Sequence, residues 1–130
     1  MKLSQNRDQT LLDLRPAIPT LSETATSTAE QFQNKTLRPI LKLQNDLFVA
    51  VFNKYIVQRK NVFPTLTKTK KRAYIEHAIK KDWRFKNRLL GIVIGQFTME
   101  EYQTFTEDEA ELTRRFATML VKRLQDQLVE

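Results

Sequence analysis

The chain has 130 residues, which suits one domain and leaves little room for two. It has no cysteine, which excludes disulfides, thiolate nucleophiles and zinc sites with sulfur ligands. It has only two glycines and four prolines, which favours long helices over the frequent turns of a β-sandwich. The net charge of +7 is concentrated in residues 54–97, which hold 12 basic and 2 acidic residues, and residues 98–130 hold 4 basic and 8 acidic ones. This asymmetry indicates either an anionic partner or a basic middle that packs beside an acidic C-terminal helix.

The N-terminal segment has no apolar region typical of a signal peptide. The longest apolar stretch, at 89–97, is far shorter than the ~20 residues of a membrane-spanning helix, so we predict a cytoplasmic protein without a membrane partner. Three leucines at positions 3, 11 and 14 form one narrow helical face before Pro16 and Pro19. Residues 1–26 are therefore predicted to be a tail with a marginal helix, and residues 27–130 a helical bundle domain.

Helix starts are indicated where Ser or Thr is followed three residues later by Glu, because the two side chains cap each other's free backbone amides. Four such pairs are taken as candidate helix starts: Thr20/Glu23, Ser27/Glu30, Thr98/Glu101 and Thr106/Glu109.

From Ser27 to about Arg59 the pattern predicts helix, with Pro39 either in the first turn of a new helix begun near Thr36 or at a kink in one long helix. Apolar residues cover most of the helical wheel over 40–56. Such a helix belongs in the centre of a bundle or at an interface between copies, and it predicts self-association as a homodimer.

Residues 60–69, with Pro64, are predicted to be a loop. Helices are expected over 70–81 and 83–97, continuous or broken near Asp82, then over 98–105 and from Thr106 nearly to the end. Residues 89–97 have the alternative of a buried strand, but no second segment would pair with it. The prediction is an all-α bundle of about four to six helices.

Lys70, Tyr74, His77 and Lys81 share one helical stripe. An imidazole among lysines suits a phosphate contact or a catalytic base, and the alternative is a solvated histidine on a polar face. No carboxylate lies near enough along the helix to orient it as a base.

Arg84, Arg88, Gly91 and Gly95 form a second stripe with the same spacing. Glycine inside a helix costs about 1 kcal/mol relative to alanine, so two glycines on one face indicate a close approach to the backbone. The approaching group is either a ligand whose anionic end meets the guanidiniums, or a helix of this chain or of a second copy.

Carboxylates cluster near two predicted helix starts, where they complement the helix dipole: Glu100, Glu101, Glu107, Asp108, Glu109 and Glu111. Their order does not match a calcium-binding loop, and no metal or cofactor is predicted. Trp83, Phe85 and Tyr102 are interpreted as core or boundary aromatics. No nucleophile elbow, phosphate-binding glycine loop or dinucleotide fingerprint is present, so the interpretation leans away from an enzyme and assigns no catalytic residue.

Two stretches resemble a family of short all-helical bacterial proteins with no assigned activity: FQNKTLRPILKLQNDL at 32–47 and KRAYIEHAIKKDWRFKNRLLGIVIGQFTMEEY at 71–102. The resemblance covers about residues 32–123 and implies a helical fold. Some members carry the label glyoxalase. Enzymes of the glyoxalase I type have paired βαβββ units with a metal held by His and Glu, whereas this chain has one histidine and no set of predicted strands, so no catalytic residue is carried over.

The predicted function is a non-catalytic interaction or regulatory helical module. The alternative is binding of a nucleic acid or an acidic protein through residues 68–88, with Lys70, Tyr74, His77, Lys81, Arg84 and Arg88 as the candidate contacts. This segment holds nine basic residues against Glu76 and Asp82, with Ile75 and Ile79 inward, Lys70, His77 and Lys81 outward, and Tyr74 at the border, placed to stack on a base. Such contacts go to phosphate and are largely independent of base sequence. A solvated basic face is the other explanation, and an enzyme is the third class.

Overall fold

The computed structural model describes residues 2–18 and 27–129, and the side chains of 6–18 and 27–129. These residues form seven helices and no strand, which confirms the all-α prediction and the helical interpretation of residues 89–94. The count exceeds four to six because the marginal N-terminal helix forms and segment 27–59 divides at Gln44. The helices are α1 (Lys2–Leu14), α2 (28–43), α3 (Asn45–Gln58), α4 (Lys68–Lys80), α5 (Trp83–Ile94), α6 (Met99–Glu107) and α7 (Glu109–Leu128). None of the helices described is long and apolar enough to cross a membrane.

The chain divides into two compact units, residues 1–43 with 90–116 and residues 44–89 with 117–130. The boundary predicted at residue 26 stays a prediction. Arg7 of α1 donates to the carbonyl of Phe97 at 2.8 Å, and Asp8 accepts from the amide of Met99 at 3.2 Å. These hydrogen bonds place α1 within the first unit.

Three of the predicted capping pairs lie within the described residues, and two of them are found at helix starts. Thr98 and Glu101 form the full capping box at the start of α6, and Ser27 accepts from the amide of Glu30. The Thr106/Glu109 prediction is wrong, because Thr106 lies inside α6, where its hydroxyl donates to the carbonyl of Gln103 at 2.8 Å. The Thr20/Glu23 pair lies outside the described residues.

Pro39 is accommodated by a π-helical turn, Gln33–Leu37, that directly precedes the α-helical segment Arg38–Leu43. The amide of Arg38 donates to the carbonyl of Gln33, five residues back. Proline has no amide hydrogen, and the longer hydrogen-bond step shifts the register just before the residue that cannot donate. Pro39 thus lies in the first turn of an α-helical segment, as one of the two predicted alternatives had it, although this segment begins at Arg38 and the chain breaks at Gln44.

A half-buried ion pair holds the first unit together. Arg15 donates to both carboxylate oxygens of Glu101 at 2.6 Å, and Glu101 also accepts from the hydroxyl of Thr36 at 3.0 Å and the amide of Thr98 at 2.8 Å. Burial raises the pKa of Glu101, but the hydrogen bonds from Arg15, Thr98 and Thr36 and the charge of Arg15 outweigh it, so the pKa lies below its ordinary value. One carboxylate thus connects α1, α2 and α6.

The second unit is built around an aromatic core. Phe52 of α3 is fully buried, and four rings surround it, those of Tyr55, Phe63, Tyr74 and Phe85, with centroids 5.6 to 6.3 Å away. Ile75 and Ile79 of α4 are also fully buried, which confirms the predicted inward face. The apolar wheel over 40–56 is not wholly covered, since Leu47 is 45% exposed.

Candidate anion-binding site

A cleft of about 260 Å³ in the second unit gathers four basic side chains. It lies between the C-terminal half of α3 and the N-terminal half of α5. We call it the cationic cleft, and its lining residues are Val51, Lys54, Tyr55, Gln58, Arg59, Arg84, Phe85 and Arg88.

Buried aromatic packing brings these residues together. The rings of Tyr55 on α3 and Phe85 on α5 lie 4.0 Å apart between centroids and form the apolar floor of the cleft. Lys54 precedes Tyr55, and Arg84 precedes Phe85, so each helix carries a cation beside its floor residue. Arg88 lies one turn after Arg84, on the same face of α5.

The cationic cleft is only partly neutralised by the described part of the chain, because Arg59 pairs with Asp82 at 3.1 Å. No carboxylate lies among its lining residues, and Lys54, Arg84 and Arg88 form no ion pair with a described residue. Arg84 also lies in the first turn of α5, which holds no acidic residue, although the positive end of the helix dipole favours carboxylates there. The positive charge of the cleft is therefore open to solvent and adds to that of the helix terminus.

A second cleft, of about 380 Å³, shares Tyr55 and Arg59 with the first and is further lined by Val62, Tyr74, His77 and Asp82. Asp82 connects its parts: it accepts from the hydroxyl of Tyr55 at 2.9 Å, from Arg59 at 3.1 Å and from the amide of Phe85 at 3.3 Å. The guanidinium of Arg59 also lies over the ring of Tyr55, 3.6 Å from its centroid. Asp82 thus caps α5 and holds Arg59 in place between the two clefts.

These contacts shift two pKa values in opposite directions. Burial, together with the hydrogen bond and charge of Asp82, raises the pKa of Tyr55 to about 12. Burial raises the pKa of Asp82, but the hydrogen bonds from Tyr55 and Phe85 and the interaction with Arg59 bring it below its ordinary value. At neutral pH, Tyr55 is therefore the neutral donor and Asp82 the anionic acceptor.

The loss of stability at high pH is expected to depend on Tyr55. Its pKa rises from 10.0 in the unfolded chain to about 12 in the fold, so its contribution is complete below pH 10.0 and is lost as the pH rises through about 12. Urea unfolding from neutral pH to about pH 12 should give a flatter profile for Tyr55→Phe, which at neutral pH is less stable by about 1 kcal/mol through the lost hydrogen bond. Tyr102→Phe, at an exposed position, is the control. Parallel profiles for Tyr55→Phe and the parent would contradict this assignment.

The structure separates the predicted contact residues into three groups. Arg84 and Arg88 line the cationic cleft, and Tyr74 and His77 line the second cleft. Lys70 and Lys81 are exposed, as predicted, but line neither cleft. The six residues therefore do not form one surface stripe.

Two neighbouring rings pack against Tyr74, which is half-buried. Its ring lies 5.2 Å from that of Phe63 and 6.2 Å from that of Phe52, and its hydroxyl is buried without a hydrogen-bond partner among the described residues. Burial also raises its pKa. Because Tyr74 still lines the second cleft, its stacking on a base stays a prediction.

No other helix of the described chain lies at the Cβ positions of the two glycines. A Cβ at Gly91 would meet nothing within 4 Å, and one at Gly95 would meet only carbonyl oxygens of α5, the nearest at 3.4 Å. The packing of another helix of this chain against Gly91 is thus not observed. Packing against a second copy, and with it the homodimer, stays a prediction.

Four residues of the site were not singled out from the sequence: Lys54, Gln58, Arg59 and Asp82. The positions of Lys54 and Gln58, four apart on one helical face, were a usable signal. Nothing local indicated that this face lies beside Arg84. Asp82 was identified only as a possible helix break, although an aspartate three residues before a helical amide is a common cap.

The acidic residues near α6 and α7 serve the fold. Glu101 is held by Arg15, and Glu111 accepts from Arg114 and Arg115 at 2.7 Å each. Within residues 6–18 and 27–129, no group of three or more His, Asp or Glu side chains is arranged to hold a metal ion.

Comparison with known protein families, curated proteins and solved structures finds no match to this chain. The resemblance to a family of short helical proteins stays a prediction, and the chemistry of the site is argued from its own residues.

Proposed function

We propose that this chain is a non-catalytic binding module that holds a phosphate-bearing polyanion in the cationic cleft. The observation that carries the proposal is the presence of four cations in one concave site with no carboxylate among the described lining residues. Arg59 pairs with Asp82, and the other three cations form no ion pair with a described residue. The charge of the second unit supports it, since residues 44–89 and 117–130 hold 14 of the 22 basic residues and 5 of the 15 acidic ones. A field of this sign attracts anions over the whole unit and concentrates them at the cleft.

The chemistry of the cleft suits phosphate. Guanidiniums offer planar pairs of N–H donors that match two phosphate oxygens, and Arg84 and Arg88 offer two such groups one turn apart. Lys54 supplies a point charge from the opposite helix, and Gln58 supplies a neutral amide donor beside it. The floor of Tyr55 and Phe85 is apolar, which strengthens charge-assisted hydrogen bonds made above it.

A solvated basic face explains this arrangement less well. Like charges four residues apart on a helix are destabilising by a few tenths of a kcal/mol, and a cation in the first turn opposes the helix dipole. Arg84 incurs both costs. An anionic ligand would offset them, whereas solubility alone would be served equally by cations placed elsewhere.

The proposal is tested with short-chain inorganic polyphosphate by titration calorimetry of the full chain at two salt concentrations. We expect affinity to fall steeply as salt rises. Arg84→Ala/Arg88→Ala should lower affinity roughly tenfold or more, because each lost charge-assisted hydrogen bond costs about 1.5–3 kcal/mol. Both side chains are exposed, so the circular dichroism spectrum of the double variant should match that of the parent protein.

The matched control is Lys70→Ala/Lys81→Ala, which removes the same charge from exposed positions outside both clefts. It should weaken binding only slightly, through the general field of the unit. Equal losses in the two double variants would show that charge alone acts and would contradict a defined site. The absence of detectable binding at low salt would contradict the function itself.

A further inference from the structure

Trp83 is the most exposed large apolar side chain of the described residues, with 65% of its surface open to solvent. It is the first residue of α5 and the only tryptophan of the chain. Phe85, two positions later, is buried in the aromatic core. The interpretation of Trp83 as a core or boundary aromatic is therefore wrong, and its ring is available to a ligand.

Trp83 lies next to the cationic cleft. The guanidinium carbon of Arg84, which lines the cleft, lies 5.7 Å from the centroid of the indole. A cation at this distance from an aromatic face is attracted to it, so the two side chains are held as neighbours. A ligand whose phosphate meets Arg84 thus has an aromatic surface beside that phosphate.

We infer that the polyanion of the cleft is a single-stranded nucleic acid, whose phosphates meet Arg84, Arg88 and Lys54 while one base stacks on Trp83. This inference rests on the proposed function and adds the class of ligand. Proteins that bind single strands without base preference combine a basic groove with exposed aromatic rings, because every base has a π face. A duplex keeps its bases stacked on one another and has none free for Trp83.

The face of α5 favours a nucleic acid over an anionic membrane. A helix that lies in a membrane interface needs an apolar face to insert. The exposed residues of α5 other than Trp83 are polar, charged or glycine: Arg84, Asn87, Arg88 and Gly91. One indole among these residues suits stacking on a planar base.

The single tryptophan provides the test, because the tryptophan emission, excited selectively over that of the three tyrosines, comes from Trp83 alone. The probes are a single-stranded oligothymidylate, a duplex of equal length, inorganic polyphosphate, and vesicles of phosphatidylserine with phosphatidylcholine. The oligothymidylate should quench the fluorescence, whereas polyphosphate should bind by calorimetry without comparable quenching. The single strand should also bind more tightly than the duplex.

Variants separate stacking from charge. Trp83→Ala should lower the affinity for oligothymidylate about tenfold and leave that for polyphosphate unchanged, and Trp83→Phe should keep most of the oligothymidylate affinity. Tyr102→Ala, at another exposed aromatic, should change neither. If Trp83→Ala binds polyphosphate normally and its affinity for oligothymidylate is unchanged, this inference alone is overturned. A preference of the parent protein for the duplex or the vesicles would overturn it as well. If the parent protein does not bind polyphosphate, the proposed function is overturned instead.

Discussion

Replacing Glu101 with glutamine is expected to lower the free energy of unfolding by about 3 kcal/mol, because it leaves a buried guanidinium without its counter-charge. The Arg15 side chain is only 8% exposed and that of Glu101 16%, and the two form hydrogen bonds at 2.6 Å. The substitution also weakens the hydrogen bonds that residue 101 accepts from the hydroxyl of Thr36 and from the amide of Thr98. Urea unfolding followed by circular dichroism measures the loss.

The contribution of Glu101 to the free energy of unfolding should depend on pH. The pKa of Glu101 is lowered in the fold from its ordinary value of 4.5, so its stabilisation is complete above pH 4.5 and is lost as the pH falls through the lowered value. Glu101→Gln should therefore lack this part of the acid destabilisation. Glu100→Gln, at the exposed neighbouring position, is the matched control and should behave as the parent. Equal stability of the two variants at neutral pH would contradict the role of the ion pair.

Replacing Phe52 with alanine is expected to cost about 4 kcal/mol, since the substitution removes a fully buried ring and leaves a cavity. The loss should also loosen the cationic cleft, because Phe52 packs against Tyr55 and Phe85, which form its floor. Unfolding in urea measures the first effect. Calorimetry with polyphosphate on the folded variant measures the second, as weaker binding.

Val57→Ala is the matched control on the same helix, because Val57 is 60% exposed and its truncation creates no cavity. It should change the free energy of unfolding by less than about 0.5 kcal/mol. A comparable loss in both variants would contradict the dominant role of the aromatic core, because alanine has the higher helix propensity and its introduction at position 57 leaves no cavity. Unchanged polyphosphate affinity in Phe52→Ala would contradict the expected dependence of the cleft on the packing of Phe52.

Helical periodicity predicted the faces of α4 correctly. Ile75 and Ile79 are buried, and Lys70, His77 and Lys81 are exposed. The spacing of residues within one helix determines such faces, so the local sequence is sufficient. Tyr74, at the border of these faces, is half-buried because Phe63, eleven residues earlier in the chain, packs against its ring with 5.2 Å between the centroids.

Capping motifs show where local signals stop being sufficient. Thr98/Glu101 forms its capping box, whereas Thr106/Glu109, with the same spacing, lies across the end of α6. Both pairs satisfy the same local rule. The outcome at Thr106 depended on how far α6 extends, and that extent depends on the packing of its buried face rather than on the motif.

The sequence by itself determined the all-helical class, the basic middle segment and the face shared by Arg84 and Arg88, because each depends on composition or on spacing within a few turns of helix. Only the tertiary structure decided that Lys54 and Arg59 lie beside those arginines, that Asp82 holds Arg59, and that Trp83 is exposed whereas Tyr74 is half-buried. These outcomes depend on contacts such as that between Tyr55 and Phe85, which lie thirty positions apart in the chain. Periodicity reports which face of a helix is buried, but not which other segment covers it.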